Sequence, residues 1–448
     1  MKVVVVGLGY VGLPLLCSLQ AYVSKQSQAK YMEHMKVTKV LGFDTDLQRV
    51  QEINSGVDST NCVSSDYLKG VRATSCTDDC HNYDVFIICV PTPLFGDKPD
   101  LRYLDTAVKS ISTVLRNGCV VINESTVYIG CTRERVGKAL RELRPEIKFS
   151  VAYSPERISP TANCTFFPRQ LTKLISGEDN FAVKTCRAVY GGITANAIKP
   201  WPYTDLFEAS SMEAAEASKL LENTQRCVNI ALMNECSSVF RRHGLDTSEV
   251  IELASTKWNF NYYEPGLVGG HCVPVDPYYL LRSSDYNVMP IVRISLEQNR
   301  KLVDYIVYSI QKMLNQKGIS APSIGVLGLS YKPNIGDIRE SGSIRLIAAL
   351  YSRIVGCEVY VEDQLVTQTT ELGATQVECL TDNKYDVFIY SVWHDYTNSL
   401  FMNEEMARHT LTSMAKDDKL SNLIVVDLPG LINKAYPKLC REMLYWTL

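Results

Sequence analysis

The sequence predicts an α/β protein in which two Rossmann-like, doubly wound domains are joined by a long central helix and a helical dimerisation region. A β-branched run at residues 2–6 leads directly into a glycine-rich turn, as at the start of a βα unit. Helix-forming residues fill the stretch from Thr204 to about Arg242, and a second alternation of strands and helices begins near Ile324. A chain of 448 residues is too long for one core, and we expect domains at residues 1–203, 204–315 and 316–448.

The first domain is predicted from apolar runs that are each followed by turn residues and a plausible helix. The strand Lys2–Val6 is followed by an apolar helix at residues 14–23. Further strands are predicted at Val37–Phe43, Asp84–Val90, Cys119–Asn123 and Phe149–Tyr153. This alternation is typical of a doubly wound sheet whose parallel strands are buried on both faces.

The central region is predicted to be helical because neither Pro nor Gly interrupts residues 204–242. Apolar positions recur there every three or four residues, which suits a helix that connects domains and packs against a partner subunit. An intramolecular core would leave the same stripe. We expect a homodimer or a higher homo-oligomer.

The last domain is predicted from a second set of strands with the sequences IGVLGL, EVYVED, YDVFIYSV and LIVVDL. A helix is expected at Ser343–Ser352, between the first two of them. The architecture therefore resembles that of the first domain, although no sequence repeat links the two.

Composition argues against several classes of protein. A formal net charge of -3 and a pI near 6.1 give no basic field, so neither nucleic acid nor a membrane surface is expected as a partner. No run of about 18 apolar residues predicts a spanning helix. The 15 cysteines are odd in number and form no CxxC pairs, which favours reduced thiols and a cytoplasmic location. Cys76, Cys80 and His81 lack a second pair at zinc spacing, so we expect no metal.

A glycine motif indicates a dinucleotide site. The segment VVVVGLGYVG places Gly7, Gly9 and Gly12 after a strand and before a helix, where exposed amides can bind a pyrophosphate. Asp44 ends the strand VLGFD, and a carboxylate there accepts hydrogen bonds from a ribose and repels a 2′-phosphate. NAD is therefore predicted, against the alternative that the glycines only form a tight turn. Asp44 lies about a dozen residues beyond the roughly 20 expected, which indicates an insertion within residues 24–36.

Candidate catalytic residues occur in two further segments. Cys272 follows Gly269, Gly270 and His271 in GLVGGHCVPVDPYYL, where small residues allow a substrate to approach an uncrowded thiol. The alternative is a buried structural cysteine. Lys219 and Asn223 are four residues apart, so on a helix they share one face and suit an oxyanion site.

Two pairs of polar residues follow predicted strands. Thr126 and Glu156 come just after strands of the first domain, at the carboxyl edge where doubly wound sheets bind ligands. A helix-capping Thr and a turn-forming Glu are the alternatives. Lys332 and Arg339 follow a strand of the last domain, where cations can meet a diphosphate, although surface salt bridges would look the same.

Taken together, several segments resemble the UDP-glucose, UDP-N-acetylglucosamine and UDP-N-acetylmannosamine 6-dehydrogenase family along essentially the whole chain. In order, they are GLGYVGLPL, CVPTPL with PDLRYLD, NESTVYIGCT, AYSPERISP, AEASKLLENTQRCVNIALMNE, GGHCVPVDPYYL and GLSYKPNIGDIRESGS. The resemblance implies an NAD-binding domain, a central helical domain with the cysteine loop, and a UDP-sugar-binding domain.

The implied reaction is a four-electron oxidation of the sugar C6 alcohol to a carboxylate, through a thiohemiacetal and a thioester on Cys272. By similarity to the family, Lys219 stabilises oxyanions, Asn223 donates a hydrogen bond to the same oxygen, and Asp276 assists proton transfer. The resemblance also assigns Glu156 to water activation and Thr126 to holding water or substrate. The residues expected to bind NAD are Gly7, Gly9, Tyr10, Val11, Gly12, Asp44, Arg49, Pro91, Thr92 and Thr126. Those expected to bind the UDP-sugar are Glu156, Arg157, Lys219, Asn223, Gly269, Gly270, Lys332 and Arg339.

Within the family, CVPTPL, the acidic NEST and the helix segment are closest to the N-acetylhexosamine branch. UDP-N-acetylglucosamine or UDP-N-acetylmannosamine is therefore the expected substrate. UDP-glucose, a catalytically silent nucleotide-sugar-binding protein and a two-electron hydroxyacid dehydrogenase are the alternatives. The chain departs from the family at Leu428 and Pro429, where relatives carry a basic residue after the strand Asp, here Asp427, and at residues 161–170, which match loosely.

Overall fold

The computed structural model describes residues 1–26, 36–60, 62–157, 171–195, 203–283, 288–366 and 373–448. They form two compact units, one comprising Met1–Glu222 and Tyr278–Asp285, the other Asn223–Pro277 and Tyr286–Leu448. No helix among these residues is long and apolar enough to cross a membrane. The predicted insertion at residues 24–36 lies largely outside the described ranges, and residues 161–170 lie wholly outside them. The borders of the three expected domains stay a prediction.

The first unit is built on an eight-stranded sheet with the order β10-β9-β8-β7-β4-β1-β2-β3. Neighbouring strands are parallel except β8 and β9, which are antiparallel. The strands of this unit, with a separate two-stranded hairpin β5–β6, are β1 (Lys2–Val6), β2 (Lys39–Phe43), β3 (Ala73–Thr74), β4 (Val85–Ile88), β5 (Leu94–Phe95), β6 (Lys98–Pro99), β7 (Val120–Asn123), β8 (Ser150–Tyr153), β9 (Leu171–Gly177) and β10 (Tyr203–Glu208). Its helices are α1 (Gly12–Gln26), α2 (Leu47–Asn54), α3 (Ser65–Leu68), α4 (Arg102–Val114), a π-helical segment (Thr132–Lys138), α5 (Ala139–Leu143), α6 (Asn180–Ala195) and the start of α7 (Met212–Arg242).

The second unit contains a six-stranded, wholly parallel sheet with the order β13-β12-β11-β14-β15-β16. Its further elements are α8 (Thr247–Ser255), the start of α9 (Asp276–Arg282), α10 (Pro290–Lys317), β11 (Ser323–Leu327), α11 (Gly342–Arg353), β12 (Glu358–Glu362), β13 (Thr375–Gln376), β14 (Val387–Tyr390), α12 (Glu404–Met414), β15 (Ile424–Asp427), α13 (Leu431–Ala435), α14 (Pro437–Cys440) and β16 (Leu444–Thr447). The border between the two units falls within α7, after Glu222, and again within α9, after Pro277.

Burial on both faces explains why the strands are continuous apolar runs. Val3 and Val5 of β1 belong to a core with residues of α1 and α6, whereas Val4 and Val6 line a small cavity with Val114 of α4 and other apolar residues on the opposite side of the sheet. Helices therefore cover both faces of this parallel sheet, as the doubly wound architecture requires. The predicted fold class is confirmed for both sheets.

The predicted helix over residues 204–242 is wrong at its beginning. Residues 203–208 form β10, which pairs with β9, and the helix starts only at Met212. The segment YTDLFE carries aromatic and β-branched side chains, which favour a strand. Ser211 then precedes the helix, and its hydroxyl accepts a hydrogen bond from the Ala214 amide at 3.0 Å.

The two sheets share one local structure at the end of the first strand. Gly7 after β1 has φ +91° and Gly328 after β11 has φ +89°. In each unit the next amide donates a hydrogen bond of 2.8 Å to a carboxylate at the end of the neighbouring strand, Leu8 to Asp44 and Leu329 to Asp363. Equivalent carboxylates thus fix equivalent turns in the two units.

The second carboxylate has more partners within the protein. Asp363 Oδ2 also accepts hydrogen bonds from the amide and hydroxyl of Ser330, at 3.1 and 3.0 Å, and lies 3.3 Å from His394 Nε2. Both Asp363 and His394 are buried. Burial alone would raise the pKa of Asp363, but hydrogen bonds and charge from His394 and the backbone amides hold it below its usual value.

Asp363→Ala is expected to lower the free energy of unfolding by about 3 kcal/mol, because it leaves two buried amides without their acceptor and removes the carboxylate that lies 3.3 Å from His394 Nε2. Ser330→Ala removes a single hydrogen bond to the same oxygen and is expected to cost only about 1 kcal/mol. Urea unfolding of both variants measures the difference. Equal losses would show that Asp363 contributes no more than an ordinary hydrogen bond.

Candidate active site

The glycine turn of the first unit combines tight packing with an open surface. A Cβ atom on Gly12 would lie 1.8 Å from the Gly7 carbonyl oxygen, so only glycine allows the first turn of α1 to approach the end of β1. Gly9 has no atom within 4 Å of the corresponding position and is exposed. Tyr10 and Val11, between these glycines, are half-buried. Space is therefore available beside the Gly9 backbone, as a bound pyrophosphate requires.

Asp44 stands at the end of β2, next to this turn. One oxygen accepts a hydrogen bond from the Leu8 amide, and the other accepts one from the Asp46 amide at 3.0 Å. The carboxylate is half-buried and keeps further acceptor capacity towards solvent. Its position fits the hydroxyls of an adenosine ribose.

Arg49, expected to bind the cofactor, is largely engaged within the protein. Its Nε donates to the Leu8 carbonyl oxygen at 2.9 Å and its Nη2 to Asp58 Oδ1 at 2.8 Å, and the residue is only 8% exposed. Through its bond to Leu8, Arg49 stabilises the glycine turn.

Pro91 and Thr92 follow β4, the strand beside β1 at the point where the strand order reverses. Pro91 is exposed and Thr92 is half-buried. The Thr92 carbonyl oxygen accepts a hydrogen bond of 3.0 Å from the Tyr279 hydroxyl. Ligands of doubly wound sheets bind at this reversal, so both residues lie where a dinucleotide is expected.

Thr126 and Glu156 follow β7 and β8, which are neighbouring parallel strands. Thr126 is half-buried, and Ser125 before it donates to the Val90 carbonyl oxygen at 2.7 Å. Glu156 is 7% exposed, and its Oε1 accepts hydrogen bonds of 2.7 Å from the Tyr203 hydroxyl and the Arg157 amide. Both predicted residues therefore lie at the carboxyl edge of the sheet.

The side chain of Arg157 contacts other residues of the first unit. Its guanidinium pairs with Glu222 at 2.8 Å and donates to the Thr172 carbonyl oxygen at 2.9 Å. A bidentate cation engaged in this way orients the segment after β8, and its expected role in binding substrate stays a prediction.

Sequence reasoning missed a buried ion pair behind Glu156. Lys173 of β9 and Glu124 after β7 are both inaccessible to solvent, with Nζ and Oε2 3.0 Å apart. Glu124 belongs to the NEST segment that favoured the N-acetylhexosamine branch, so this acid is internal and does not face a ligand directly. A lysine between apolar residues in LTKLISG is the signal that could have revealed the pair.

Lys219 lies on α7 and is 6% exposed. Glu216, one turn earlier, was also missed by sequence reasoning. Its carboxylate accepts hydrogen bonds from the Gly130 amide at 2.5 Å and the Thr132 amide at 2.9 Å, and so caps the π-helical segment after Thr126. Burial raises the pKa of Glu216 to about 7, against the two amide hydrogen bonds, which lower it.

In the second unit, Asn223 Nδ2 donates a hydrogen bond of 2.6 Å to Asp276 Oδ2, and both residues are buried. Asp276 begins α9, and its amide donates to the Cys272 carbonyl oxygen at 2.8 Å. The Cys272 side chain is half-buried, whereas most of the described cysteines are buried. Three predicted catalytic residues therefore lie along one short chain of hydrogen bonds.

Gly269 and Gly270 allow the cysteine loop to pack against the segment after β11. A Cβ on Gly269 would lie 2.9 Å from the Glu340 carbonyl oxygen. Gly270 has φ +86°, and a Cβ there would lie 2.6 Å from the Tyr331 ring. Any side chain at these positions would displace the loop that carries Cys272.

The cations after β11 differ in their surroundings. Arg339 binds Asp337 through two guanidinium nitrogens, at 3.0 and 2.7 Å, and His271 Nε2 lies 3.1 Å from the same Asp337. Lys332 is half-buried, and burial lowers the pKa of its ammonium, with Cys272 opposing and Arg226 adding to the shift. Lys332 thus places a positive charge within electrostatic range of Cys272, and Arg226 lies near Lys332.

The segment after Asp427, where the chain lacks the basic residue of its relatives, forms a turn around a buried acid. Asp427 Oδ2 accepts hydrogen bonds from the Ile432 amide at 2.7 Å and the Tyr445 hydroxyl at 2.6 Å, while Leu428 is buried. The turn after β15 is therefore organised around a buried acid, and Leu428 and Pro429 present no positive charge.

Comparison with known proteins covers nearly the whole chain. Models of the UDP-glucose/GDP-mannose dehydrogenase family match in three parts, the NAD binding domain at residues 1–194, the central domain at 213–301 and the UDP binding domain at 325–413. Protein CapL from Staphylococcus aureus is 34% identical over 446 residues, which cover 96% of each chain. UDP-N-acetyl-D-glucosamine 6-dehydrogenase from Pseudomonas aeruginosa is 36% identical over 411 residues, covering 88% of this chain and 90% of that protein. A solved structure of UDP-D-ManNAc dehydrogenase from Pyrococcus horikoshii aligns with a TM-score of 0.81 at 27% identity, covering 100% of this chain and 99% of the other.

Gly12→Ala is expected to lower the free energy of unfolding by about 3 kcal/mol or more, because its Cβ would overlap the Gly7 carbonyl oxygen. Gly9→Ala has open space and should unfold at the wild-type temperature, yet bind NAD at least about tenfold more weakly, since its methyl group enters the space expected for the pyrophosphate. Thermal unfolding and calorimetric titration with NAD measure the two effects. Wild-type NAD affinity in Gly9→Ala would place the cofactor elsewhere.

Glu216 predicts a pH dependence of stability. Its folded pKa of about 7 exceeds the ordinary 4.5, so the folded protein binds this proton more tightly, and the stability gained at low pH is lost as the pH rises from about 4.5 to 7. The unfolding free energy of Glu216→Gln minus that of wild type should therefore increase as the pH rises from 5 to 8, by roughly 3 kcal/mol at most.

Glu213→Gln is the matched control, because Arg133 lowers the pKa of Glu213 on the same helix and no titration is expected in that range. Unfolding temperatures of the three proteins at both pH values test the prediction. A pH-independent difference between wild type and Glu216→Gln would contradict it.

Proposed function

The chain belongs to the UDP-glucose/GDP-mannose dehydrogenase family, and from this premise we propose that it oxidises the C6 alcohol of a UDP-N-acetylhexosamine to the uronic acid through covalent intermediates on Cys272. Family membership, NAD as the cofactor and the oxidoreductase class are established by the matches. The sugar and the roles of individual residues constitute the proposal.

The observation that carries the proposal is the arrangement around Cys272. Cys272 is half-buried on a turn that two glycines allow, and its backbone carbonyl oxygen accepts a hydrogen bond from the Asp276 amide. The Asp276 carboxylate in turn accepts a hydrogen bond from Asn223. Neither a binding protein nor a two-electron dehydrogenase needs a thiol supported in this way. Lys332 adds a positive charge near Cys272, which suits a thiolate nucleophile.

The NAD site fits the open turn at Gly9 and the Asp44 carboxylate, and NAD supplies the acceptor for the hydride in each oxidation. Lys219 and Asn223, one turn apart on α7, stabilise negative charge on the C6 oxygen as its proton leaves. Loss of this proton and of a hydride from C6 gives the aldehyde. The Cys272 thiolate then forms a bond to the aldehyde carbon, and Asp276 assists proton transfer. Loss of a second hydride from the resulting thiohemiacetal gives the thioester.

Hydrolysis completes the reaction. A water oxygen bonds to the thioester carbonyl carbon, the carbon–sulfur bond breaks, and the electron pair returns to Cys272 as thiolate. Glu156 takes the proton from the water, and Thr126 holds the water or the substrate. The product is the UDP-uronic acid.

The N-acetylhexosamine substrate is favoured by the named relatives. The curated relative from P. aeruginosa is named for UDP-N-acetyl-D-glucosamine, and the solved structure from P. horikoshii for UDP-D-ManNAc. UDP-glucose is the second candidate, because the matching family models are also named for it. A pocket distinguishes a hydroxyl from an acetamido group by about 1–3 kcal/mol.

We also propose that the protein is a homodimer or a higher homo-oligomer, and retain the cytoplasmic location as an expectation. Leu221, Leu232 and Val239 of α7 are 63%, 51% and 48% exposed, and their spacing places them on one face of the helix. An apolar stripe of this kind supports packing against a second copy.

The proposal predicts about two NADH per mole of limiting sugar with one of UDP-N-acetylglucosamine, UDP-N-acetylmannosamine and UDP-glucose. Cys272→Ser is expected to reduce turnover by roughly 100-fold or more, because a hydroxyl is a far weaker nucleophile than a thiolate. Absorbance of NADH at the end point and during turnover gives both quantities.

Cys379→Ser serves as the matched control, since Cys379 is also half-buried but lies after β13 and contacts Thr381. It should retain wild-type turnover. One NADH per sugar would contradict the four-electron reaction, and no NADH from any of the three sugars would favour a binding protein.

A further inference from the structure

We propose that Lys173 and Tyr203 are positioning residues that hold the Glu156 carboxylate in place, so that it can take the proton from the attacking water. This inference rests on the proposed function, in which Glu156 activates that water. Neither residue touches the substrate in this role, because both act through Glu156.

Tyr203 orients Glu156 through a directed hydrogen bond. The hydroxyl accepts a hydrogen bond of 2.7 Å from the Arg157 amide, so its own proton points to Glu156 Oε1, also at 2.7 Å. Tyr203 is only 1% exposed. A phenol fixed by one donor and buried on β10 stabilises the charged carboxylate and restricts its rotation.

Lys173 holds the backbone that leads to Glu156. Its Nζ donates to the carbonyl oxygens of Ser154 and Pro155, at 3.4 and 3.2 Å, and to Glu124 Oε2 at 3.0 Å. Nζ is also 3.6 Å from Glu156 Oε2. A single ammonium thus contacts both residues before Glu156 and faces its carboxylate.

Charged and polar groups surround the Glu156 carboxylate. The groups that face this carboxylate from the surrounding elements are Lys173, Glu124, Tyr203, Arg157 and Cys89. Burial raises the pKa of Glu124, with Glu156 adding to the shift and Lys173 opposing it. Lys173, whose pKa burial alone would lower, is kept charged by Glu124 and then Glu156.

Glu156 and Glu124 differ in what they can reach. Glu124 is 1% exposed and is held by Lys173 and by the Tyr190 hydroxyl at 2.5 Å, inside the sheet. Glu156 is the more exposed of the two carboxylates and follows β8 at the carboxyl edge. Glu124 therefore balances the lysine charge, while Glu156 keeps the position from which a base can act.

Two tyrosines allow a matched test of this arrangement. Tyr203→Phe removes only the hydroxyl on Glu156, and Tyr190→Phe removes only the hydroxyl on Glu124, at an equally buried site. The experiment mixes each enzyme rapidly with excess NAD and the UDP-sugar that the wild type oxidises, and follows NADH. Intact-protein mass spectrometry after acid quench then measures the covalent adduct on Cys272, with Glu156→Gln as the reference.

Tyr203→Phe should release about two NADH per site at the wild-type rate and then hydrolyse roughly 10-fold more slowly, with adduct accumulating, as expected for loss of a hydrogen bond to a charged group. Tyr190→Phe should match wild type in both measurements. Lys173→Met should show the larger hydrolysis defect, and if it does not fold, the two tyrosine variants decide.

The outcomes separate this inference from the function on which it rests. If Glu156→Gln hydrolyses the adduct at the wild-type rate, Glu156 is not the base, and both the role proposed for it and this inference fail. If Glu156→Gln is slow but Tyr203→Phe behaves like wild type, only the inference fails. An equal defect in Tyr190→Phe would also overturn it, because the effect would then come from disturbed packing of the cluster.

Discussion

In each sheet, an aspartate at the end of one strand accepts a hydrogen bond from a backbone amide just after the adjacent strand. This interaction determines the shape of the edge at which ligands are expected to bind. In the first unit Asp44 binds the Leu8 amide, and in the second Asp363 binds the Leu329 amide. The preceding glycines have φ near +90°, so the chain leaves the strand in a direction that other residues rarely allow. The loops at both edges start from these two turns. The other hydrogen-bond partners of each aspartate determine what the turn can bind. Asp44 keeps acceptor capacity for a ribose, whereas Asp363 is fully engaged by Ser330 and His394.

The architecture could be predicted from sequence because burial on both faces leaves a strong pattern. The strands at β1, β4, β7 and β15 are uninterrupted apolar runs, and their predicted ends agree with the structure to within two residues. The helix predicted from Thr204 is wrong over residues 204–208 because β10 lies at the edge of the sheet, where alternation is weak and helix formers are tolerated. The equivalence of the two glycine turns was invisible as well, since it depends on backbone dihedrals and on acids distant in sequence.

The same distinction applies to the site. Residues with a motif, such as Gly9, Asp44 and Cys272, could be selected from spacing and resemblance. The supporting residues Lys173, Glu216 and Asp363 could not be placed in this way, because each acts through contacts with residues distant in sequence. Arg49 and Arg157 show the opposite case, since both were selected as binding residues and both are largely engaged by the protein. An arginine near a motif is equally suited to holding the loop and to holding the ligand.

The buried Lys173 also constrains how the first sheet assembles. An ammonium placed in an apolar layer is costly until carboxylates and aromatic rings surround it. Its partners come from β7, β8, β10 and α6, and the Tyr190 and Tyr203 rings lie 5.1 and 5.2 Å from Nζ. Strand β9 therefore gains little by docking alone, and the last strands of the sheet are expected to close in one cooperative step. The buried charge that supports the reaction in the folded enzyme would thus also make folding of this part of the sheet depend on all of its partners being in place.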